Sequence, residues 1–115
     1  MSRSIWTHGE NSGYEHGQDL VGYAVEAVDG RIGHVDRHSP EVGAAHLVVD
    51  TGAWIFGKRV LLPAGTVVRI DHPERIVHVD RSKEEIKAAP EYRSGEDALD
   101  PGYFQLLGGY YGPIL

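Results

Sequence analysis

Apolar and polar residues alternate in short runs between Gln18 and Pro90, and turn-forming residues separate these runs. Successive side chains of a strand point to opposite faces, so a period of two predicts β-strands. Turn signals recur every 8 to 12 residues or so, which favours a sandwich or a barrel. The pattern predicts six strands, at approximately Leu20–Ala27, Arg31–His38, Ala44–Asp50, Lys58–Leu62, Thr66–Asp71 and Arg75–Asp80.

Two glycines shape the predicted first hairpin. Asp29-Gly30 separates the first two strands and is typical of a type I′ turn, in which both central residues need a positive φ. In the second strand Ile32 and Val35 are three residues apart, which breaks the alternation. A bulge at Gly33 would return both of these side chains to the same face.

The apolar strand positions supply the predicted core. Its members, or their immediate neighbours, are Val21, Tyr23, Val25, Ile32, Val35, Leu47, Val49, Val60, Leu62, Val68, Ile70, Val77 and Val79.

A single short helix is predicted after the sixth strand. Ser82 suits the N-cap position, and Glu85 three residues later completes a capping box. Acidic residues in the first turn and Lys87 near the end match the helix dipole. Pro90 disfavours helical backbone at Ala89, so the helix is short.

The chain therefore divides into three segments. Residues 1–17 are polar and lack a hydrophobic period, so we expect a flexible N-terminal tail unless Trp6 docks on another surface. Residues 18–90 form the strand-rich domain with its C-terminal helix. Residues 91–115 are a linker and an aromatic C-terminal extension, polar as far as Asp100.

The order and spacing of these features resemble those of the PRC-barrel family. That domain occurs in the H subunit of photosynthetic reaction centres, at the C-terminal end of the ribosome maturation factor and in small stand-alone bacterial proteins. The tail Gly108–Gly112 looks like that of stand-alone actinobacterial members. The resemblance covers about 70 residues of the chain. It is carried by Leu20-Val21-Gly22, Asp29-Gly30, Ile32 to Asp36, Leu47 to Asp50, Val60 to Pro63, Val77 to Val79 and Ser82 to Pro90.

This resemblance implies a mainly β fold, a small six-stranded PRC-type β-barrel followed by one short helix and an aromatic-rich C-terminal tail. It implies a module for interaction or assembly, and it supplies no catalytic residues. We expect neither the membrane role of the reaction-centre subunit nor the role of the maturation factor, because the accompanying membrane helix and RNA-associated domain are not seen in the sequence.

Charge and cysteine content exclude several classes of function. The formal net charge is −6, whereas a general nucleic-acid binder needs a basic face, and an acidic surface also disfavours anionic lipid. No apolar run approaches the ~20 residues of a membrane-spanning helix. There are no cysteines, which excludes disulfides and is compatible with the cytoplasm. We therefore expect a cytoplasmic protein with no nucleic-acid partner and no membrane insertion.

Seven histidines raise the question of a metal site. Two of them, His34 and His38, share the second strand, but four strand residues span about 13 Å, which is too far for one metal ion. Zinc needs three or four converging ligands. We expect solvent-facing histidines and no bound metal.

Catalytic chemistry finds little support in the sequence. The aspartates at strand ends are typical of turn caps that bond local backbone, whereas a glycosidase needs two carboxyl groups converging in a cleft. Neither a glycine-rich phosphate loop nor a nucleophile elbow is present. We expect no catalytic residue, no cofactor and no enzymatic activity.

Two apolar segments are the best functional candidates, because aromatic residues dominate binding hot spots. The loop residues Trp54, Ile55 and Phe56 would either cover an open end of the barrel or form an interface. The C-terminal aromatic residues would pack on their own barrel, on a second subunit or on another protein. These residues are Tyr103, Phe104, Tyr110 and Tyr111.

The leading hypothesis is a non-enzymatic protein-interaction module that forms a homodimer and binds an unidentified protein partner, since an isologous interface would bury both apolar segments twice. One alternative is a small-molecule or metal-binding barrel, which a pocket of a few hundred Å³ lined by His34, His46 or His78 would favour. A further alternative, an RNA- or ribosome-associated factor, rests on family analogy alone.

Overall fold

The computed structural model describes residues 5–9, 12–15, 17–40, 45–52, 59–89 and 101–112. These residues form six strands and two α-helices, with a 3₁₀ turn at Ala64–Thr66. The strands are β1 (Ala24–Ala27), β2 (Gly30–Ser39), β3 (His46–Asp50), β4 (Arg59–Pro63), β5 (Val67–Asp71) and β6 (Ile76–Val79). The helices are α1 (Lys83–Ala88) and α2 (Pro101–Tyr111).

The six strands of the described residues form one mixed sheet in the order β4-β3-β2-β1-β6-β5. Strands β1 and β6 pair in parallel, and every other neighbouring pair is antiparallel. The chain therefore builds β1 to β4 as a meander and then crosses over to place β6 beside β1. The mainly β class and the six predicted strands are confirmed.

The closed barrel is not confirmed, because the sheet has β4 and β5 as two separate edges. The edge of β5 meets the N-terminal part of the chain instead of β4. The N–H of Ile70 in β5 donates to the carbonyl oxygen of Ser12 at 2.8 Å.

Residues 5–9 and 12–15, here named the N-terminal strap, pack on the sheet. Two further backbone bonds hold the strap. Gly65 N–H donates to the Ile5 oxygen at 2.7 Å, and Ala45 N–H donates to the Trp6 oxygen at 3.0 Å. Ile5 is buried in the core. The sequence left open whether Trp6 docks on another surface. In the folded chain its backbone is bonded to Ala45, and the strap is held on the domain.

The first strand begins four residues later than predicted. Leu20 to Tyr23 form a turn, in which Tyr23 N–H donates to the Leu20 oxygen and Gly22 has a φ of 90°. The turn buries Leu20 completely and leaves Val21 50% exposed. The core position predicted at Val21 or an immediate neighbour is therefore taken by Leu20, because strand alternation does not extend through a turn.

The first hairpin forms, but its turn differs from the predicted one. Ala27 pairs with Gly30, so the two loop residues are Val28 and Asp29. Neither residue has the positive φ of a type I′ turn, since Arg75 is the described non-glycine residue with a positive φ. Gly30 instead opens β2 with a φ of 141°.

The bulge at Gly33 is confirmed. Val25 pairs with Gly33 and Glu26 pairs with Arg31, so Ile32 is the extra residue of β2. Ile32 and Val35 are consequently both buried.

A register shift in β5 explains why the core position predicted at Val68 or an immediate neighbour is taken by Val67. Val67 pairs with Val79 and Arg69 pairs with His78, so the register shifts at Val68. Val67 is buried in its place, and Val68 is 48% exposed.

The predicted helix and its capping box are confirmed in α1. The Ser82 hydroxyl oxygen accepts a bond from Glu85 N–H, and the Glu85 carboxylate accepts one from Ser82 N–H, both at 3.1 Å. The Asp29 carboxylate accepts a further bond from Lys83 N–H at 2.9 Å. The first hairpin therefore contributes to the cap of the helix.

The C-terminal segment was predicted to be an aromatic tail, and a single helix was predicted for the chain. Residues 101–111 instead form a second helix, α2. Tyr103, Leu107 and Tyr111 recur every four residues and are all buried. This spacing places them on one helix face. Packing of this face outweighs the low helix propensity of the glycines in the segment.

One hydrophobic cluster joins the strands, the strap and both helices. Four consecutive residues of β3, from His46 to Val49, are buried, so both faces of this strand are covered. No helix within the described ranges has the length and apolar character needed to cross a bilayer.

Candidate functional site

The buried face of α2 is used within the chain itself. Tyr103 is 8% exposed, Tyr111 is 5% exposed and Leu107 is fully buried between them. Burial raises the pKa of the Tyr111 phenol well above its ordinary value. Two of the predicted interface residues, Tyr103 and Tyr111, are therefore part of the core of this chain.

Phe104 joins α2 to the N-terminal strap. Its ring stacks on Trp6 with centroids 4.6 Å apart, and the ring of His46 meets it edge-on at 5.3 Å. Gly108 lies beneath the same indole, since a Cβ at this position would be 3.1 Å from Trp6 Nε1. Phe104 thus packs in cis.

Arg81 and α1 hold the C-terminal end of α2. Arg81 Nη2 donates to the Tyr111 carbonyl oxygen at 2.8 Å, and its guanidinium lies 5.8 Å from the centre of the Tyr111 ring. The Tyr110 hydroxyl donates to the Glu85 carbonyl oxygen at 2.6 Å. These contacts fix the orientation of α2 on the domain.

The outer face of α2, here defined by Leu106 and Tyr110, is exposed to solvent. Leu106 is 58% exposed and Tyr110 is 41% exposed. They are one helical turn apart and therefore adjacent. Val28, 67% exposed, donates its N–H to the Arg81 oxygen, and Arg81 in turn contacts Tyr111 of α2. Tyr110 is thus the predicted interface residue that this part of the structure leaves within reach of a partner.

The other predicted interface segment, Trp54, Ile55 and Phe56, lies outside the described residues. The nearest described residues on its two sides are Gly52, which follows β3, and Arg59, which begins β4. Leu106 was not among the candidates, although its spacing of four from Tyr110 is a signal that sequence reasoning could have used.

Three aromatic side chains meet where the strap reaches β2. The Nε2 atoms of His8 and His38 are 3.2 Å apart. Tyr14 stacks on His8 with centroids 4.0 Å apart and meets His38 edge-on at 5.4 Å. Burial, followed by the influence of His38, lowers the pKa of His8 to about 4, and burial also lowers the pKa of His38.

A second polar cluster ties the strap to the β5–β6 turn. His72 Nδ1 is 2.7 Å from Gln18 Nε2, and His72 Nε2 is 2.9 Å from the Gly13 oxygen. Both nitrogens of this ring are therefore bonded, and the amide of Gln18 also reaches the Tyr23 hydroxyl at 3.4 Å. These hydrogen bonds give the side chains of the cluster a structural role in holding the strap against the β5–β6 turn.

An open groove of about 390 Å³ lies at the bulge of β2. Gly33, which lines it, passes close to the backbone of Asp50 and Thr51. Side chains of opposite charge, Arg31 and Asp50, line it. The lining residues are Arg31, Ile32, Gly33, His34, Asp50, Thr51 and Gly52.

Two strand-end carboxylates have the local backbone partners that their position predicts. Asp50 accepts a bond from Gly52 N–H at 2.9 Å, and Asp71 accepts one from Glu74 N–H at 3.1 Å. Asp36 pairs instead with the Arg59 guanidinium at 3.0 Å. Within the described ranges no three histidine or acidic side chains converge as metal ligands.

Comparison with known proteins adds no assignment: no protein-family model matches the chain, and no curated protein matches it. A functional assignment therefore depends on the surfaces of the chain itself.

Proposed function

We propose that the chain is a non-enzymatic interaction module of the PRC-barrel type that self-associates through the outer face of α2. The observation that carries this proposal is the exposure of Leu106 and Tyr110 on a helix whose opposite face is anchored in the core. A rigid apolar surface loses little conformational entropy on binding. The exposed Val28 lies beside Arg81, which contacts the C-terminal end of α2 at Tyr111.

A second copy of the chain is the occupant that this face fits best. A two-fold axis near Leu106 would bring each Leu106–Tyr110 pair against its equivalent, so one apolar surface is buried twice. The chain carries a net charge of −6, and two copies repel each other at long range. We therefore expect association to strengthen as salt screens the charges.

Light scattering on matched variants tests this surface. We expect the wild-type chain to give twice its mass of 12.6 kDa. In Leu106→Glu each interface would bury two unpaired carboxylates, so we expect the dimer to weaken by about tenfold or more. Val68→Glu is the control, because it introduces the same charge at an exposed valine of β5.

A dimer that Val68→Glu disrupts as strongly as Leu106→Glu would contradict the assignment of the surface. A dimer that both variants leave intact would place the interface elsewhere. Trp54→Ala tests the predicted loop segment. If Trp54→Ala is monomeric while Leu106→Glu remains dimeric, the interface lies in that segment instead.

A second candidate function is the binding of a small molecule, and the groove beside His34 is the observation that favours it. Its volume of about 390 Å³ suits a small ligand. Arg31 and Asp50 would orient polar groups of opposite charge. Native mass spectrometry of protein purified from its own host should then show a retained ligand, and a wild-type chain with no added mass would count against this candidate.

A further inference from the structure

The contact between His8 and His38 depends on the protonation of both rings. Their Nε2 atoms are 3.2 Å apart, with the ring planes at 67°. A bond between two imidazole nitrogens needs a hydrogen on one and a lone pair on the other. Two fully protonated rings would have no acceptor and would repel each other, so the contact requires at least one neutral histidine.

The surroundings of the pair disfavour additional positive charge. Tyr14 covers one face of His8, and the His8 Nδ1 atom is buried without a hydrogen-bond partner among the described residues. A proton at Nδ1 would create a charged donor with no acceptor, which is costly in a buried position. Around His38, Asp19 favours the protonated form and His46 opposes it.

The pair connects the strap, through His8, to the end of β2, through His38. The rest of the strap supplies three carbonyl acceptors to the sheet and its connections. The oxygens of Ile5, Trp6 and Ser12 accept bonds from the amides of Gly65, Ala45 and Ile70 respectively. These three amides are therefore local reporters of whether the strap is in place.

The sign of the pH effect follows from the lowered pKa values. A released His8 has its ordinary pKa of 6.5, whereas the docked ring has a pKa of about 4. Between these values the released state binds a proton that the docked state does not, so docking weakens as pH falls. Above pH 6.5 the contribution is fully present, and below about pH 4 it has been lost.

We propose that the N-terminal strap is a proton-sensitive cover, which leaves the sheet edge when the His8–His38 pair is protonated while the sheet itself remains folded. Release would uncover the edge of β5 at Ile70 and the aromatic surface of Phe104 on which Trp6 stacks. An unpaired strand edge is a template for pairing with another chain. Acidification would thus expose a second binding surface, distinct from the outer face of α2.

Amide hydrogen exchange on the full-length chain, with a chelator present, tests the proposal. Protection factors are corrected for the intrinsic effect of pH and compared at about pH 7.5 and about pH 5.0, on the two sides of the ordinary histidine pKa. The amides of Ile70, Ala45 and Gly65 should lose at least about tenfold in protection, as the pKa difference requires. The amide of Val48, whose strand pairs on both sides, should keep its protection.

Two variants separate the pair from general acid sensitivity. His8→Phe keeps an aromatic ring against Tyr14 and removes one titrating group, so we expect the loss of protection to shrink to less than about threefold. His34→Gln is the matched control, because it removes a histidine from the same strand outside the cluster. It should behave as the wild type.

Wild-type protection that does not change with pH would overturn the proposal, as would a loss shared equally by Val48, which would indicate global unfolding. Equal losses in His8→Phe and the wild type would also overturn it. If His8→Phe does not fold, the pKa of His8 in the wild type is measured instead from the NMR signals of its imidazole ring. Titration of His8 at the ordinary value of 6.5 would contradict the proposal, and titration near 4 would support it.

Discussion

Gly33 carries the strongest constraint that a single residue places on this fold. A Cβ at this position would overlap the carbonyl oxygen of Asp50 and lie 3.0 Å from the Thr51 Cα. Both obstacles are backbone, so neither can rotate away. Its φ of 155° is also one that side chains rarely adopt. The bulge thus sets how closely β2 approaches the end of β3.

We therefore expect Gly33→Ala to lower the free energy of unfolding by about 3 kcal/mol or more, because the backbone of β2 or β3 must shift. Gly52→Ala is the control. Gly52 has a φ of 56°, and a Cβ added there would have no other atom within 4 Å, so this variant should cost only about 1 kcal/mol. Urea denaturation of the two variants measures the difference, and equal losses would contradict the role assigned to Gly33.

Among the helices and strands, α2 is the element that was not predicted from the sequence. Alternation located the six strands because one or both faces of each are buried, and Ser82 and Glu85 located α1. The four-residue spacing of Tyr103, Leu107 and Tyr111 was also present. The glycines between these residues have low helix propensity and oppose this signal, so tertiary packing decides that the segment is helical.

The two neighbouring leucines of α2 test its packing. Leu107 is fully buried and Leu106 is 58% exposed. Leu107→Ala should cost about 2–5 kcal/mol, since it leaves a cavity in the core. Leu106→Ala should change the unfolding free energy of the monomer by less than about 0.5 kcal/mol. Thermal or urea unfolding at low protein concentration checks both values, and similar costs for the two leucines would show that α2 does not pack as described.

The histidine pair could not have been predicted from the sequence. His8 and His38 are 30 residues apart, and neither lies in a motif that indicates the other. Their contact depends on the path of the strap across the sheet, which the polar N-terminal segment did not reveal. The distance predicted between His34 and His38 followed from the residue spacing along a strand alone.

For the whole molecule, the N-terminal strap and the two helices pack with the mixed sheet in one hydrophobic cluster, and three of the predicted interface residues, Tyr103, Phe104 and Tyr111, are used in that packing. What stays exposed in the described residues is the outer face of α2, together with scattered valines. The candidate interfaces are therefore the outer face of α2 and the predicted segment Trp54 to Phe56, which lies outside the described residues.

Sedimentation equilibrium of the wild-type chain, over micromolar to near-millimolar concentrations at physiological salt, tests the central claim most directly. Self-association predicts an average mass that rises with concentration from 12.6 kDa towards twice that value, and that rises further at a given concentration when salt is added. A mass of 12.6 kDa at every concentration and salt level would contradict the proposed dimer.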